Sequence, residues 1–307
     1  MIHGVLNIYK EKGYTSHDVV AKLRRITGQK KIGHTGTLDP DAEGVLPVCL
    51  GRATKLCDML TDKDKTYEAV LLLGRETDTQ DISGEILKEQ STDHLTDGLI
   101  RRVILSFEGE QEQIPPMFSA LKVGGKRLYE LAREGKVVER KPRKVTIHSI
   151  RILEMELPRV RMEVACSKGT YIRTLCHDIG GKLGCGGCME TLLRTRVERF
   201  LHKDALRLCE VEILMQEGKL GERVTPIDAM FPRYKKVYLE SHAAWAVRNG
   251  NRFSQAELTR IENFQDGEHV LVYDKEQNFI AVYEFLADEK EFQIVRMFFD
   301  RADQESR

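Results

Sequence analysis

The sequence predicts an α+β fold: a mixed, largely antiparallel sheet flanked by helices, followed by a small C-terminal β-barrel-like module. Three observations carry this expectation. Residues 145–166 read as two strands around a turn at Pro158. In the second strand Val160, Met162, Val164 and Cys166 alternate with Arg161, Glu163 and Ala165, the pattern of a half-buried antiparallel strand. Residues 15–28 and 170–183 carry apolar side chains at helical spacing. Beyond Pro226 and Pro232 the chain changes to short apolar runs at 269–273, 279–285 and 292–299, separated by polar turns. A boundary near residue 230 follows, with domains expected at 1–229 and 230–307.

Each element has a local reason. Thr15 or Ser16 can cap the first helix, Val19, Leu23 and Ile26 share one of its faces, and Gly28 suits its exit. The stretch from Gly33 to Gly44 is rich in glycine and turn residues and reads as a loop. Residues 67–73 are strand-like, although they alternate poorly, and they end at Gly74. In the 170–183 helix, Ile172, Leu175, Cys176, Ile179 and Leu183 form the face expected to be buried. No internal repeat or low-complexity tract interrupts the chain.

Composition narrows the class. Of 307 residues, 48 are basic, 48 are acidic and 41% are hydrophobic, a balance that fits a folded protein and excludes a charged disordered tail protein. No apolar run reaches the length of a membrane span, and the start lacks the layout of a signal peptide. The seven scattered cysteines suit a reducing compartment, so a cytoplasmic location is expected. The zero net charge conceals a local excess: residues 121–150 hold nine basic and three acidic side chains. That basic stretch, which includes Lys122, Lys126, Arg127 and Arg133, suits a polyanion backbone. It equally suits a solvated helix face on which Glu130 and Glu134 pair with Arg127 and Arg133.

The chemistry concentrates between Gly33 and Lys55. Asp39, Asp41 and Glu43 fall within a few residues of one another, between Gly36 and Gly44. Glycines let backbone approach a substrate closely, and Pro40 restricts Asp39 to extended conformations. The residues alone do not distinguish the three acids, and a solvated surface turn accounts for them as well. The spacing of a phosphate-binding loop is missing, and no dinucleotide fingerprint occurs. Cys185-Gly186-Gly187-Cys188 is a lone pair of thiols near Cys176 and His177. It lacks a second ligand pair, so no metal site is expected. The zinc deaminase signature is also absent.

Gly33-His34-Thr35-Gly36-Thr37-Leu38-Asp39-Pro40, continuing through Gly44-Val45-Leu46-Pro47 to Gly51-Arg52-Ala53-Thr54-Lys55, resembles the active-site motif of TruB-type tRNA pseudouridine synthases. Further segments follow in the family's order: Lys12-Gly13-Tyr14-Thr15-Ser16, Lys65-Thr66-Tyr67, Thr77-Asp78-Thr79-Gln80-Asp81 with Gly84, Pro115 to Lys122, and Gly169 to Leu175. Together they span roughly residues 4–200, and 230–300 resembles a PUA RNA-binding module. Two positions depart from the pattern. Glu11 stands where a proline usually follows Lys10, and Leu193 stands where an arginine often follows the pocket leucine.

The resemblance implies the pseudouridine synthase fold and isomerisation of uridine 55 in the tRNA T-arm, without cofactor or metal. It implies that Asp39 is the nucleophile, that Arg173 is its partner, and that Tyr67 stacks on the base and is a candidate for proton transfer. Tyr171 and Leu192 would line the uracil pocket, and His34 would support the disrupted RNA loop. The 121–150 stretch would be an arm closing on the T-arm backbone through Lys122, Lys126, Arg127 and Arg133. The expected partner is the tRNA T-arm stem-loop. A monomer is expected, with no membrane and no obligate protein partner. A guide-RNA-associated relative and a non-catalytic RNA-binding or tRNA-folding protein are the alternatives. Physical chemistry adds one constraint: a nucleophilic carboxylate must be ionised although burial opposes ionisation, and a guanidinium offsets that cost through forked hydrogen bonds. Asp39 is therefore expected to be buried, ionised and aimed by Arg173.

Overall fold

The structure, a computed structural model, describes residues 1–299, so the last eight residues of the expected second domain lie outside it. Its main sheet runs in the order Val224–Thr225, Gly4–Lys10, Glu43–Leu50, Gly187–Val197, Lys65–Leu73, Arg159–Cys166, Arg143–Glu156 and Gly109–Gln113. Ile32–His34 and Phe200–Leu201 attach alongside. Neighbouring strands are antiparallel except at one junction. There Gly187–Val197 meets Glu43–Leu50 in parallel, with Leu193 opposite Glu43 and Arg194 opposite Gly44. The same Arg194 lies opposite Tyr67 on the strand to its other side.

Two helical layers cover this sheet. Asp97–Leu105 and Ile172–Leu183 bury Ile100, Val103, Ile104, Leu175 and Ile179 against Leu71, Val160, Met162 and Val164. Ser16–Thr27 and Leu208–Gln216 bury Val19, Leu23, Leu208 and Val211 against Leu6, Ile8, Leu46 and Val48. Burying aliphatic side chains of this size stabilises the fold by roughly 1.5–3 kcal/mol each.

The C-terminal strands are ordered Lys235–Tyr238, His269–Tyr273, Phe279–Leu286, Glu291–Met297 and Phe253–Ser254. The sheet curls back on itself. Leu239 bridges to Leu258, the Glu240 N–H donates to the Glu257 carbonyl at 2.9 Å, and the Thr259 N–H donates to that of Tyr238 at 2.9 Å. This is the barrel-like module expected from the three apolar runs, and those runs form its His269–Tyr273, Phe279–Leu286 and Glu291–Met297 strands. Leu271, Tyr273, Val282 and Phe298 share an apolar cluster with Val5, Val45, Cys49 and Leu56 of the main sheet side. The chain crosses between the two through Ile227, Met230 and Phe231, all buried in that cluster.

Local sequence accounts for most elements. Thr15, rather than Ser16, caps the first helix: its hydroxyl accepts from the Asp18 N–H at 3.1 Å, and Asp18 returns the bond. Gly28 ends the helix at φ +65°. The Lys65–Leu73 strand alternates over its first six residues and is then wholly buried. Only Leu71, Leu72 and Leu73 are buried in succession; over the first six residues one face stays partly open, with Glu68 paired to Arg161 of the neighbouring strand. The loop expected from Gly33 to Gly44 is shorter than it reads. It is bounded by Ile32–His34 and by a strand beginning at Glu43, in which Pro47 and Gly44 obscure the β signal.

The basic stretch also differs in detail. It forms a small hairpin, Lys122–Val123 with Lys126–Arg127, then a short helix, Leu128–Arg133. Glu134 pairs with Lys126 and Lys136, not with an arginine, because the helix ends before a second turn can align the expected partners.

One glycine is fixed by packing. A Cβ on Gly180 would lie 2.1 Å from the backbone nitrogen of Gly187, so the Ile172–Leu183 helix rests directly on the start of the adjoining strand. Gly180→Ala is expected to cost about 1–3 kcal/mol through overpacking, measured as a lower urea midpoint with unchanged slope.

Candidate active site

The site lies at the parallel junction. The loop between His34 and Glu43 leaves the sheet there, and the first turn of the Ile172–Leu183 helix faces it. Several contacts hold the loop. The Leu38 N–H donates to the Ser16 hydroxyl at 3.0 Å, which explains why Ser16 is buried although it is not the cap. Lys10, fully buried, donates from Nζ to the carbonyls of Pro40 at 3.0 Å, Ala42 at 2.6 Å and Glu11 at 3.1 Å. Burial lowers the Lys10 ammonium to about 8, while nearby Glu43 and Asp39 resist that shift. No sequence signal marks this lysine as buried, because a lysine beside Glu11 reads as surface.

Asp39 receives a two-pronged contact from Arg173. Nε stands 2.9 Å from Oδ2, and Nη2 donates to Oδ1 at 3.3 Å. The remaining guanidinium donors are also used. Nη1 donates to the Thr79 carbonyl at 3.0 Å and lies 3.5 Å from Asp81 Oδ2, and Nη2 donates to the Phe118 carbonyl at 2.9 Å. Arg173 is thus satisfied on every side with 5% of its side chain exposed. Asp81 is itself held by the Thr79 hydroxyl at 2.7 Å and the Ser83 N–H at 3.0 Å. The sequence segment containing Asp81 was legible, but this acid's place beside Arg173 was not.

Asp39 differs from expectation in one respect. Its side chain is 41% exposed, so it is not sealed in. Desolvation by the surrounding protein is nevertheless the largest influence on it. That desolvation raises its pKa above the ordinary carboxylate value. Arg173 opposes the rise, Asp81 adds to it and Lys10 opposes it.

The expected pocket residues sit close by. Tyr67, Leu192, Leu38 and Ala42 belong to one buried apolar cluster. Burial pushes the Tyr67 hydroxyl up to about 12, and both Tyr67 and Tyr171 feel the Asp39 charge. Tyr171 precedes the helix, its backbone bracketed by the Gln113 amide at 2.8 and 3.0 Å. His34 is placed differently. Its ring packs edge-on against His17 at 5.7 Å, and its Nδ1 accepts from the Gly36 N–H at 3.4 Å. Burial and the neighbouring His17 and Arg194 lower its pKa, which favours a neutral ring. Among the described residues, the Asp39 carboxyl takes side-chain bonds from Arg173, not from His34.

Lys122, Lys126, Arg127 and Arg133 lie on the hairpin and short helix, and all four are exposed. Arg127 and Arg133 both lie over the Tyr129 ring, at 5.8 and 5.5 Å. Cys176, Cys185 and Cys188 are buried, and burial raises the thiol of each. Among the described residues, no group of three or more His, Cys, Asp or Glu side chains is arranged to hold a metal. No helix among them is long and apolar enough to cross a membrane.

Residues 24–172 match the model of the TruB family pseudouridylate synthase N-terminal domain, and 173–232 match that of the tRNA pseudouridylate synthase B C-terminal domain. A tRNA pseudouridine synthase B of Lachnoclostridium phytofermentans is 51% identical, covering 97% of this chain and all of the relative. One from Alkaliphilus oremlandii is 44% identical over 98% of this chain and all of that relative. Among solved structures, a Cbf5–Nop10–Gar1 complex contains a chain of similar fold. Its TM-score is 0.71 at 27% identity, with coverage of 98% of this chain and 86% of that one. An H/ACA RNP bound to a substrate RNA containing 2'-deoxyuridine gives TM-score 0.71 at 25% identity, covering 97% and 86%.

The electrostatics give a prediction with a definite sign. The pKa of Asp39 is raised in the folded protein, so its neutral form favours folding below the unfolded pKa, and that contribution is lost as pH rises through the folded value. The wild-type thermal midpoint is therefore expected to carry a component that falls as pH rises above about 3.8, and Asp39→Asn is expected to lack that component, read as a shallower pH dependence of the midpoint in the variant. Asp81→Asn is expected to shift the Asp39 titration, followed by carboxyl-carbon NMR, towards lower pH.

Proposed function

The chain belongs to the TruB family of pseudouridylate synthases, and we propose that it converts uridine 55 in the T-arm loop of tRNAs to pseudouridine. The observation that carries this reading is the Asp39 carboxylate held in two-pronged contact by the nearly buried Arg173, beside Tyr67 and Leu192. In this reaction the C1′–N1 bond breaks, the uracil turns, C1′ bonds to C5, and the C5 proton is released while N1 gains one. The change is redox-neutral, so it asks of the protein a nucleophile, a holding surface and proton traffic.

Asp39 supplies the nucleophile. Its ionisation is favoured by Arg173, whose fork also fixes the direction of the carboxylate oxygens. The attack routes differ in the carbon Asp39 touches, and both begin from the ionised form. Tyr67 offers a flat ring on which a loose pyrimidine can rest in more than one orientation, with Leu192 and Tyr171 completing the pocket. The target nucleotide has to leave its stack first, at a cost of a few kcal/mol. Contacts from His34 and the basic side chains Lys122, Lys126, Arg127 and Arg133 would offset that cost. Recognition by loop shape and extruded bases suits such a site. The curled module from residue 230 onward is assigned to binding RNA outside the loop.

Wild-type protein is expected to release tritium from a T-arm stem-loop carrying 5-tritiated uridine, without added cofactor and equally in EDTA. Asp39→Asn should abolish release while retaining stem-loop binding in a filter assay; activity in that variant would remove Asp39 from its role. Neutralising Lys126, Arg127 and Arg133 together should weaken binding. It should also flatten the plot of log affinity against log salt, by about 0.7–0.9 for each phosphate no longer neutralised.

A further inference from the structure

Among the described residues Arg194 is the largest fully buried side chain, with 1% exposed, and the reaction as described gives it no task. Its position is unusual for an arginine. Among the described residues no carboxylate pairs with it. Its Nε instead donates to the Val45 carbonyl at 2.7 Å, Nη2 to that of Gly36 at 3.3 Å, and Nη1 lies 3.5 Å from that of Thr37. Tyr67 stands directly across from Arg194 on the adjoining strand, and its hydroxyl and the guanidinium influence one another electrostatically. A cation taken out of water without an acid is costly, so each of these acceptors is needed to hold it.

The acceptors come from both sides of the acid. Gly36 and Thr37 lie on the limb of the loop before Asp39, and Val45 lies on the limb after it. The backbone of Arg194 meanwhile stands opposite Gly44 on one side and Tyr67 on the other. The approach at Gly44 leaves no room for a side chain: at φ +106° a Cβ would lie 2.3 Å from the Arg194 carbonyl oxygen. One residue therefore closes the neck of the loop and also stands across from the aromatic residue beside it.

We propose that Arg194 is a positioning residue, a buried clamp that joins both limbs of the Asp39 loop to the Tyr67 hydroxyl and so fixes the carboxylate relative to the ring. A guanidinium donates and never accepts, so in this clamp the Tyr67 oxygen would accept and its proton would be left to be given elsewhere. Lysine cannot replace this function. Its ammonium is a point charge on a flexible stem and does not present a planar fork to acceptors in several directions.

The inference rests on the reading of Asp39 and Tyr67 as the reacting pair, and its test separates the two. Arg194→Lys and Arg194→Gln are measured by tritium release and by amide hydrogen exchange of the free protein. Both variants should lose about a hundredfold in kcat, the scale of an ångström-sized misplacement, with KM for the stem-loop within about threefold. Exchange across residues 36–45 should quicken by about tenfold, with the 172–183 helix unchanged. Wild-type kcat in the folded Lys variant, or unaltered exchange in the loop, would overturn the proposal. Should neither variant fold, Tyr67→Phe removes one arm of the clamp while keeping the ring, and unaltered loop exchange there would overturn it equally. If the wild type releases no tritium, the functional reading fails, and the exchange measurement still decides for or against the clamp.

Discussion

The Asp39–Arg173 contact is the constraint that organises this protein. A carboxylate desolvated by the surrounding protein tends towards its neutral form, and a guanidinium at 2.9 Å holds it towards the charged one. To do that, Arg173 must itself be fixed, and the fold supplies the fixing. It sits in the first turn of a helix whose Gly180 rests on strand backbone, and whose preceding residue is bracketed by Gln113 from the far edge of the sheet. The Asp39 loop is fixed from the opposite side by Ser16, Lys10 and Arg194. Two rigid bodies thus meet at one ion pair.

Besides Arg173, several buried side chains of this sheet are cations. Lys10, Lys65, Arg173 and Arg194 are each less than 9% exposed, and burial lowers both lysines to about 8. Backbone carbonyls, not acids, satisfy most of their donors. Carbonyl dipoles solvate the cations without cancelling their charge, so Lys10 and Arg173 keep a positive field at Asp39. Such a field favours an ionised Asp39 and attracts a polyanion.

Much of this was legible in the sequence. The first helix with its cap and glycine exit, the 159–166 strand with its alternating face, and the three C-terminal runs follow from periodicity and turn chemistry, which act over a few residues. The Asp39 motif was legible through its resemblance to a family, not through its chemistry, since three neighbouring acids look alike in one dimension. What escaped was long-range. Nothing in the local sequence marks Lys10 or Arg194 as buried, because their partners are backbone carbonyls, which leave no trace in side-chain patterning. The Glu43–Leu50 strand was hidden by Pro47 and Gly44, whose tolerance depends on neighbours 40 and 150 residues away, Asn7 and Arg194. The openness of the Asp39 carboxyl is a property of the whole surface and has no local signature.

The Phe118 carbonyl, 2.9 Å from Arg173, limits how such an enzyme can change. Phe118 stands just before the basic hairpin, whose helix is tied back to Ser119 through the Tyr129 N–H. The side chain that aims the acid therefore also anchors the root of the segment bearing the exposed positive charges. Under the proposed function, grip and chemistry share a single fastening, so neither can drift through mutation without dragging the other along. Lineages adapting this protein to altered RNAs would have to alter the tip of that segment and leave its base untouched.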